Sequence, residues 1–260
     1  MCLIVLALEA RPGLPLLIAA NRDERYDRPA APLGFWLDHP DVLGGRDLEA
    51  GGSWLALTRT GRFAAVTNLR STGVPSPSLR SRGELVGDFV TGSMPPDEYL
   101  EEVTARRGEY RDFNLLVGQG ATVVYGGSRI PSPRKLSPGI YGLSNADLDT
   151  PWPKVVRART RASTLLGAEE PISPDPFFAL LSERAVAPDE ELPDTGVGLD
   201  WERALSSAFI VTPEYGTRAS TVVILRADGL LEMAERSFGP GGRLLGEERF
   251  LLDAAAGPTA

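Results

Sequence analysis

The chain has 260 residues, 42% apolar and 24% charged, an ordinary balance for a globular protein with one sizeable core. A net charge of −8 argues against a nucleic-acid partner, and a single cysteine with a single histidine excludes an intramolecular disulfide and a zinc ligand set. The apolar run over residues 3–8 is too short to span a bilayer and lacks the basic flank of a signal peptide, so the expected location is cytoplasmic.

In chain order, residues 3–8 and 14–20 read as two strands joined by a turn at Arg11-Pro12-Gly13. With the turn centred near Pro12, opposed residue numbers sum to about 24. Cys2 then faces Arg22, and Asn21 and Asp23 lie roughly 5 Å away across the ladder. A second hairpin, residues 54–58 and 63–67, closes through Thr60-Gly61. Ser81-Arg82-Gly83-Glu84 has the capping-box pattern, followed by the helical stripe Leu85, Val86, Phe89 and Val90. Pro95-Pro96 opens a second helix bearing Tyr99, Leu100 and Val103, and residues 113–117 and 122–125 return to strand. Thr150-Pro151 is an N-cap and N1 pair for a helix reaching about Leu166, and Ser173-Pro174 opens another in the same way. Residues 185–199 are acidic, rich in proline and glycine, and aperiodic; they read as a solvated loop. Strands are expected at 208–211, 221–225 and 230–234, the last two joined by Asp228-Gly229, and at 249–252. Strands, then helices, then strands predict an α+β layered fold, one domain over 1–260.

Cys2 concentrates the chemistry. Removal of Met1 would leave a thiol and a free α-amine on one residue, and the amine, with a reference pKa of about 7.7–8.0, accepts the thiol proton near neutral pH. No histidine is required, and His39 sits in a Leu37-Asp38-His39-Pro40 stretch that reads as a surface loop. Polar clusters border the strand ends: Ala20-Asn21-Arg22-Asp23-Glu24, Gly44-Gly45-Arg46-Asp47 with Gly51-Gly52-Ser53-Trp54, Tyr141-Gly142-Leu143-Ser144-Asn145, and Tyr215-Gly216-Thr217-Arg218. The glycine-rich cluster has neither P-loop nor dinucleotide spacing, so its glycines are read as permitting close backbone approach. Asp147 and Asp149 precede a helix start, where acidic groups meet the helix dipole, and capping is preferred to a metal pair.

Taken together, Met1-Cys2, the Ala20–Glu24 cluster, Gly51-Gly52-Ser53-Trp54-Leu55, Arg82-Gly83-Glu84-Leu85, Phe113-Asn114-Leu115, the Tyr141–Asn145 cluster with Thr150-Pro151-Trp152, and the Tyr215–Arg218 cluster resemble the NRDE family. That family includes the transport and Golgi organisation protein 2 proteins and takes its name from the tetrapeptide Asn21-Arg22-Asp23-Glu24. The resemblance implies a four-layer αββα sandwich of the N-terminal nucleophile hydrolase type. It also implies Cys2, Asp23, Asn145 and Arg218 as catalytic residues, with Asn21, Arg22, Trp54 and Asn68 as substrate contacts. One departure is Ala20, where related acylases commonly carry an arginine. The implied reaction is cleavage of a linear amide of a small molecule through a thioester, with no cofactor and no metal. The alternative it implies is a non-catalytic carrier of haem, acyl-CoA or lipid on the same fold.

Overall fold

The computed structural model describes residues 2–70 and 79–254. In chain order these form β1 (Cys2–Arg11), β2 (Leu14–Arg25), β3 (Ala30–Phe35), β4 (Val42–Asp47), β5 (Leu55–Thr58) and β6 (Arg62–Asn68). Two helices follow, α1 (Arg82–Thr91) and α2 (Pro96–Ala105), then β7 (Phe113–Gln119), β8 (Thr122–Gly127), β9 (Arg134–Lys135) and β10 (Gly139–Leu143). The chain continues through α3 (Pro153–Gly167), α4 (Pro174–Leu181) and α5 (Leu199–Leu205) to β11 (Tyr215–Leu225), β12 (Leu230–Gly239) and β13 (Arg243–Asp253).

Two antiparallel sheets result, in the orders β10-β1-β2-β11-β12-β13 and β3-β4-β5-β6-β7-β8-β9. Period-two alternation sorts β1 between two interiors. Ile4, Leu6 and Leu8 point into the space between the sheets, against Leu33, Leu55 and Leu116 of the second sheet. Leu3, Val5 and Ala7 point the other way, onto Val155 and Ala158 of α3 and Phe177 and Phe178 of α4. On the outer face of the second sheet, Leu85 and Phe89 of α1 and Leu100 of α2 pack on Ala64, Leu115 and Val117. Each such buried leucine or phenylalanine contributes about 1.5–3 kcal/mol through removal from water. The fold is α+β, a four-layer αββα sandwich.

The first hairpin has the expected register: from Cys2↔Arg22 to Leu8↔Leu16 every pair sums to 24, before an irregularity at the turn. The α1 capping box forms, the Ser81 hydroxyl accepting from the Gly83 N–H while the Glu84 carboxylate accepts from the Ser81 N–H. Other elements depart from expectation. β3 and β4 lie where loops and a glycine cluster are read, because Gly44 and Gly45 serve packing rather than turning. A Cβ on Gly44 would lie 2.7 Å from that of Ala56, and one on Gly45 would lie 2.2 Å from the Trp54 ring. The 185–199 loop gives way to α5 at Leu199. Residues 208–211 are not a regular strand; the Ala208 carbonyl and the Phe209 and Ile210 N–H groups bond to Asn21, Glu183 and Thr217 instead. α3 begins at Pro153, with Trp152 as its N-cap, rather than at Pro151. Asp149 does not cap it: its carboxylate accepts from the Gly142 N–H at 2.8 Å and pairs with Arg159 at 3.3 Å.

Candidate functional site

Cys2 opens β1, a strand flanked on both sides by β10 and β2. Just past β10, the Ser144 hydroxyl donates to the Cys2 carbonyl at 2.8 Å. Ser144 ends a buried polar chain that starts in the other sheet. Tyr125 Oη donates to Asn114 Oδ1 (2.8 Å), Asn114 Nδ2 to Thr67 Oγ1 (3.2 Å), and Thr67 Oγ1 to the Ser144 carbonyl (2.7 Å). Each buried donor thereby has an acceptor, which avoids the 1–3 kcal/mol penalty of about that size for an unmet polar group.

The half-buried Cys2 lies in a cleft of about 330 Å³ whose walls include Arg22, Asp23, Trp54, Asn68 and Arg82. Burial pushes the Cys2 thiol above its ordinary value, and the Asp23 charge adds to this; a backbone hydrogen bond from Asp23 and the Arg22 charge act in the opposite sense. The thiol therefore needs a base to ionise. Asp23 is 2% exposed, and its Oδ1 accepts from Thr217 Oγ1 at 2.8 Å. Tyr215 Oη donates to the Asp23 carbonyl at 2.9 Å. Burial raises the Asp23 carboxyl, opposed by the charge of Lys154 and by the Thr217 hydrogen bond. Lys154, in the first turn of α3, is also 2% exposed, and its ammonium has no hydrogen-bond partner among the described residues. Burial lowers its pKa, while the Asp23 charge supports its protonated form.

Five of the eight expected residues line this cleft: Cys2, Asp23, Arg22, Trp54 and Asn68. The Arg22 guanidinium stacks over the Trp54 ring, 4.3 Å from its centroid, and reaches Asp47 at 3.5 Å. Ala20 points into the inter-sheet core, so Arg22 is the cation that β2 presents beside Cys2.

The other three lie elsewhere. Asn21 is turned toward the helices, donating to the Leu181 and Ala208 carbonyls at 2.9 and 2.8 Å and accepting from Ser220 at 2.6 Å. Asn145 stands behind the cleft wall, its Nδ2 donating to the Asn68 carbonyl at 2.7 Å. Arg218 sits at a bulge in β11, opposite the step between Arg22 and Asp23. Bulges re-aim side chains. Its guanidinium donates to the carbonyls of Arg25, Tyr26, Arg28 and Phe238 at 2.7–3.2 Å, and it lines a second cavity, of about 280 Å³, together with Glu235. His39 is exposed and is not part of the cleft wall.

Sequence reasoning passes over Lys154 and Arg111. Lys154 had a signal: it is one of only two lysines among 27 basic residues, and it stands in a first helical turn, where a cation opposes the dipole. Arg111 had none, because only the fold brings it to the cleft.

The four-layer sandwich is the N-terminal nucleophile hydrolase fold. A cysteine-to-alanine mutant of the conjugated bile acid hydrolase from Clostridium perfringens superposes with a TM-score of 0.53 at 11% identity, covering 97% of this chain and 92% of that one. An arginine-to-leucine variant of the same enzyme gives 0.50, again at 11% identity, with the same coverage. Sequence relatives are nearer. The Transport and Golgi organization protein 2 homolog of Bos taurus is 35% identical over 257 residues, 91% of this chain and 93% of its own length, and that of Homo sapiens is 33% identical with the same coverage. The Drosophila melanogaster protein is 27% identical over 267 residues, covering 91% of this chain and 92% of that one. The profile of the family described as Transport and Golgi organisation 2 matches residues 1–240, and the chain belongs to that family.

Proposed function

We propose that the protein is a hydrolase of carbon–nitrogen bonds other than peptide bonds, with Cys2 as nucleophile. The observation that carries this reading is a half-buried thiol at a strand start, its residue paired with Arg22 of β2 and held at its carbonyl by Ser144, facing a polar cleft with Asp23 beside it. Support also comes from the fold, since the bile acid hydrolase of similar architecture acts on a conjugated small molecule.

In this mechanism the Cys2 α-amine takes the thiol proton, sulfur adds to an amide carbonyl, and the C–N bond breaks as the leaving amine receives that proton. Water, activated by the same amine, then cleaves the thioester and releases the acid. Met1, whose removal this requires, lies outside the described residues. Asp23 holds the amine in place through its charge, and Lys154 keeps Asp23 ionised in its buried position. Asn68, which lines the cleft, supplies the oxyanion donor; Asn145 positions it by holding its carbonyl. Arg218 acts as a clamp on the 25–28 turn, since its donors are occupied by four carbonyls.

The test combines intact mass with turnover. Active protein should lack Met1, and a panel of small acyl amides should include one that wild type hydrolyses and Cys2→Ala does not, the loss being on the order of 10⁶-fold as for other nucleophile deletions. Retained methionine in active protein, or equal turnover by Cys2→Ala, refutes the mechanism.

A further inference from the structure

Five guanidiniums border the Cys2 cleft, and they are not equivalent. Arg22 and Arg28 both reach Asp47, at 3.5 and 2.7 Å, and Arg28 also reaches Glu49. Arg80 is surrounded by Glu84, Asp88 and Glu109. Arg82 and Arg111 pair with no carboxylate among the described residues. Among the described residues Arg82 makes one hydrogen bond, from Nη1 to the Asp112 carbonyl at 3.2 Å, and Arg111 is exposed. The two charges lie close enough to disfavour each other: burial chiefly lowers the Arg82 pKa, Arg111 and then Arg28 lower it further, and the charges of Cys2 and of Glu24, which also lines the cleft, act in the opposite sense.

Arg82 is also the first residue of the ten-residue helix α1, so the positive end of that helix adds to the same spot. A cation placed there weakens the free protein's electrostatics, and an anion in the cleft would relieve all three contributions at once. Apolar lining is sparse, with Trp54, Val66 and Leu79 its main members. At about 330 Å³ the cleft sits at the small end of ligand pockets.

We propose that the amide accepted at Cys2 is a small one bearing an oxyanion, a carboxylate or a phosphate, seated between Arg82 and Arg111. This rests on the hydrolase reading, and it adds the substrate's charge to it. The guanidinium forks bind the oxyanion in a charge-assisted manner, and the remote contact directs the scissile carbonyl to the sulfur.

The experiment uses three amides with one shared short acyl group: an N-acyl amino acid, an N-acyl phosphoethanolamine and a neutral N-acylethanolamine. Wild type should prefer at least one anionic amide by about tenfold or more in kcat/KM, the size expected of a charge-assisted contact. Arg82→Gln and the exposed Arg111→Ala should each bring that ratio toward one, chiefly through KM, and added salt should do the same. A preference confined to one anionic arm identifies the group. If the neutral amide is hydrolysed as well as both anions, and the arginine variants leave the ratio unchanged, the anion site is refuted while the hydrolase stands. Calorimetric binding of the same three amides to Cys2→Ala separates the two ideas. Should no amide turn over in wild type, binding of an anionic amide that is lost in Cys2→Ala/Arg111→Ala keeps the anion site and discards hydrolysis; equal or absent binding discards the site too.

Discussion

Two cavities meet at the stacked pair Arg22 and Trp54, which lines both. On one side lies Cys2, on the other Glu235, and burial raises the pKa of each. They differ in what their polar atoms face. Both Glu235 oxygens are occupied inside the protein, Oε1 by the Leu33 N–H at 2.9 Å and Oε2 by the Thr221 hydroxyl at 2.8 Å. Glu235 therefore joins β3 to β11 and β12 as a structural cross-link. Cys2 faces a cleft bordered by arginines with spare donors. A perturbed pKa marks both regions, and only access to unpaired partners distinguishes chemistry from architecture.

The largest way to sharpen this contrast uses Glu235, whose pKa is pushed from 4.5 up to about 7. A carboxyl raised by folding binds its proton more tightly in the native state. Its contribution to stability is fully present below the unfolded pKa and is lost as pH rises through the folded one. Denaturant titrations should show wild type losing about 3 kcal/mol between pH 4 and 9 from this group, at 1.36 kcal/mol per unit. Glu235→Gln should flatten that slope. An unchanged slope would mean Glu235 titrates normally and the structural reading of its cavity is wrong.

The next test acts on the wall. Gly45→Ala places a methyl 2.2 Å from the Trp54 ring, which must swing away from Arg22. The expected loss is about 1–3 kcal/mol in stability, as for other overpacked sites, with tryptophan fluorescence reporting the displaced ring. Unaltered fluorescence and stability would show that the glycine is not what seats the partition. The smallest effect is expected on the Cys2 side. Lys154→Met removes the cation that favours ionised Asp23, so the acidic limb of the kcat/KM profile should move to higher pH. The melting temperature should fall little, since the buried ammonium has no hydrogen-bond partner among the described residues to lose. A profile that stays in place would dissociate Lys154 from Asp23.

How much of this could be read in the sequence depended on the range of the forces involved. The first hairpin was legible to the residue because turn position and alternation together fix register, and that alone brought Asp23 to Cys2. The capping box at Ser81 was equally local. Strand β4 was not legible: Gly44 and Gly45 look like a turn until the Ala56 and Trp54 side chains they accommodate are known. Residues 208–210 look like a strand, yet their backbone groups are taken by partners distant in sequence, Asn21 and Glu183. For the site, the overlooked clue was a local rule broken twice. Arg82 and Lys154 both put a cation in a helix's first turn, one bordering the cleft and the other coupled to Asp23. Such violations concentrate where function outweighs stability.

The polar chain from Tyr125 through Asn114, Thr67 and Ser144 to the Cys2 carbonyl crosses from one sheet to the other. It works as a gauge rod: the nucleophile's height above the cleft is measured from the opposite sheet as well as from its own ladder. Any slip between the sheets, even one that left every ladder intact, would reach the sulfur before it reached the secondary structure.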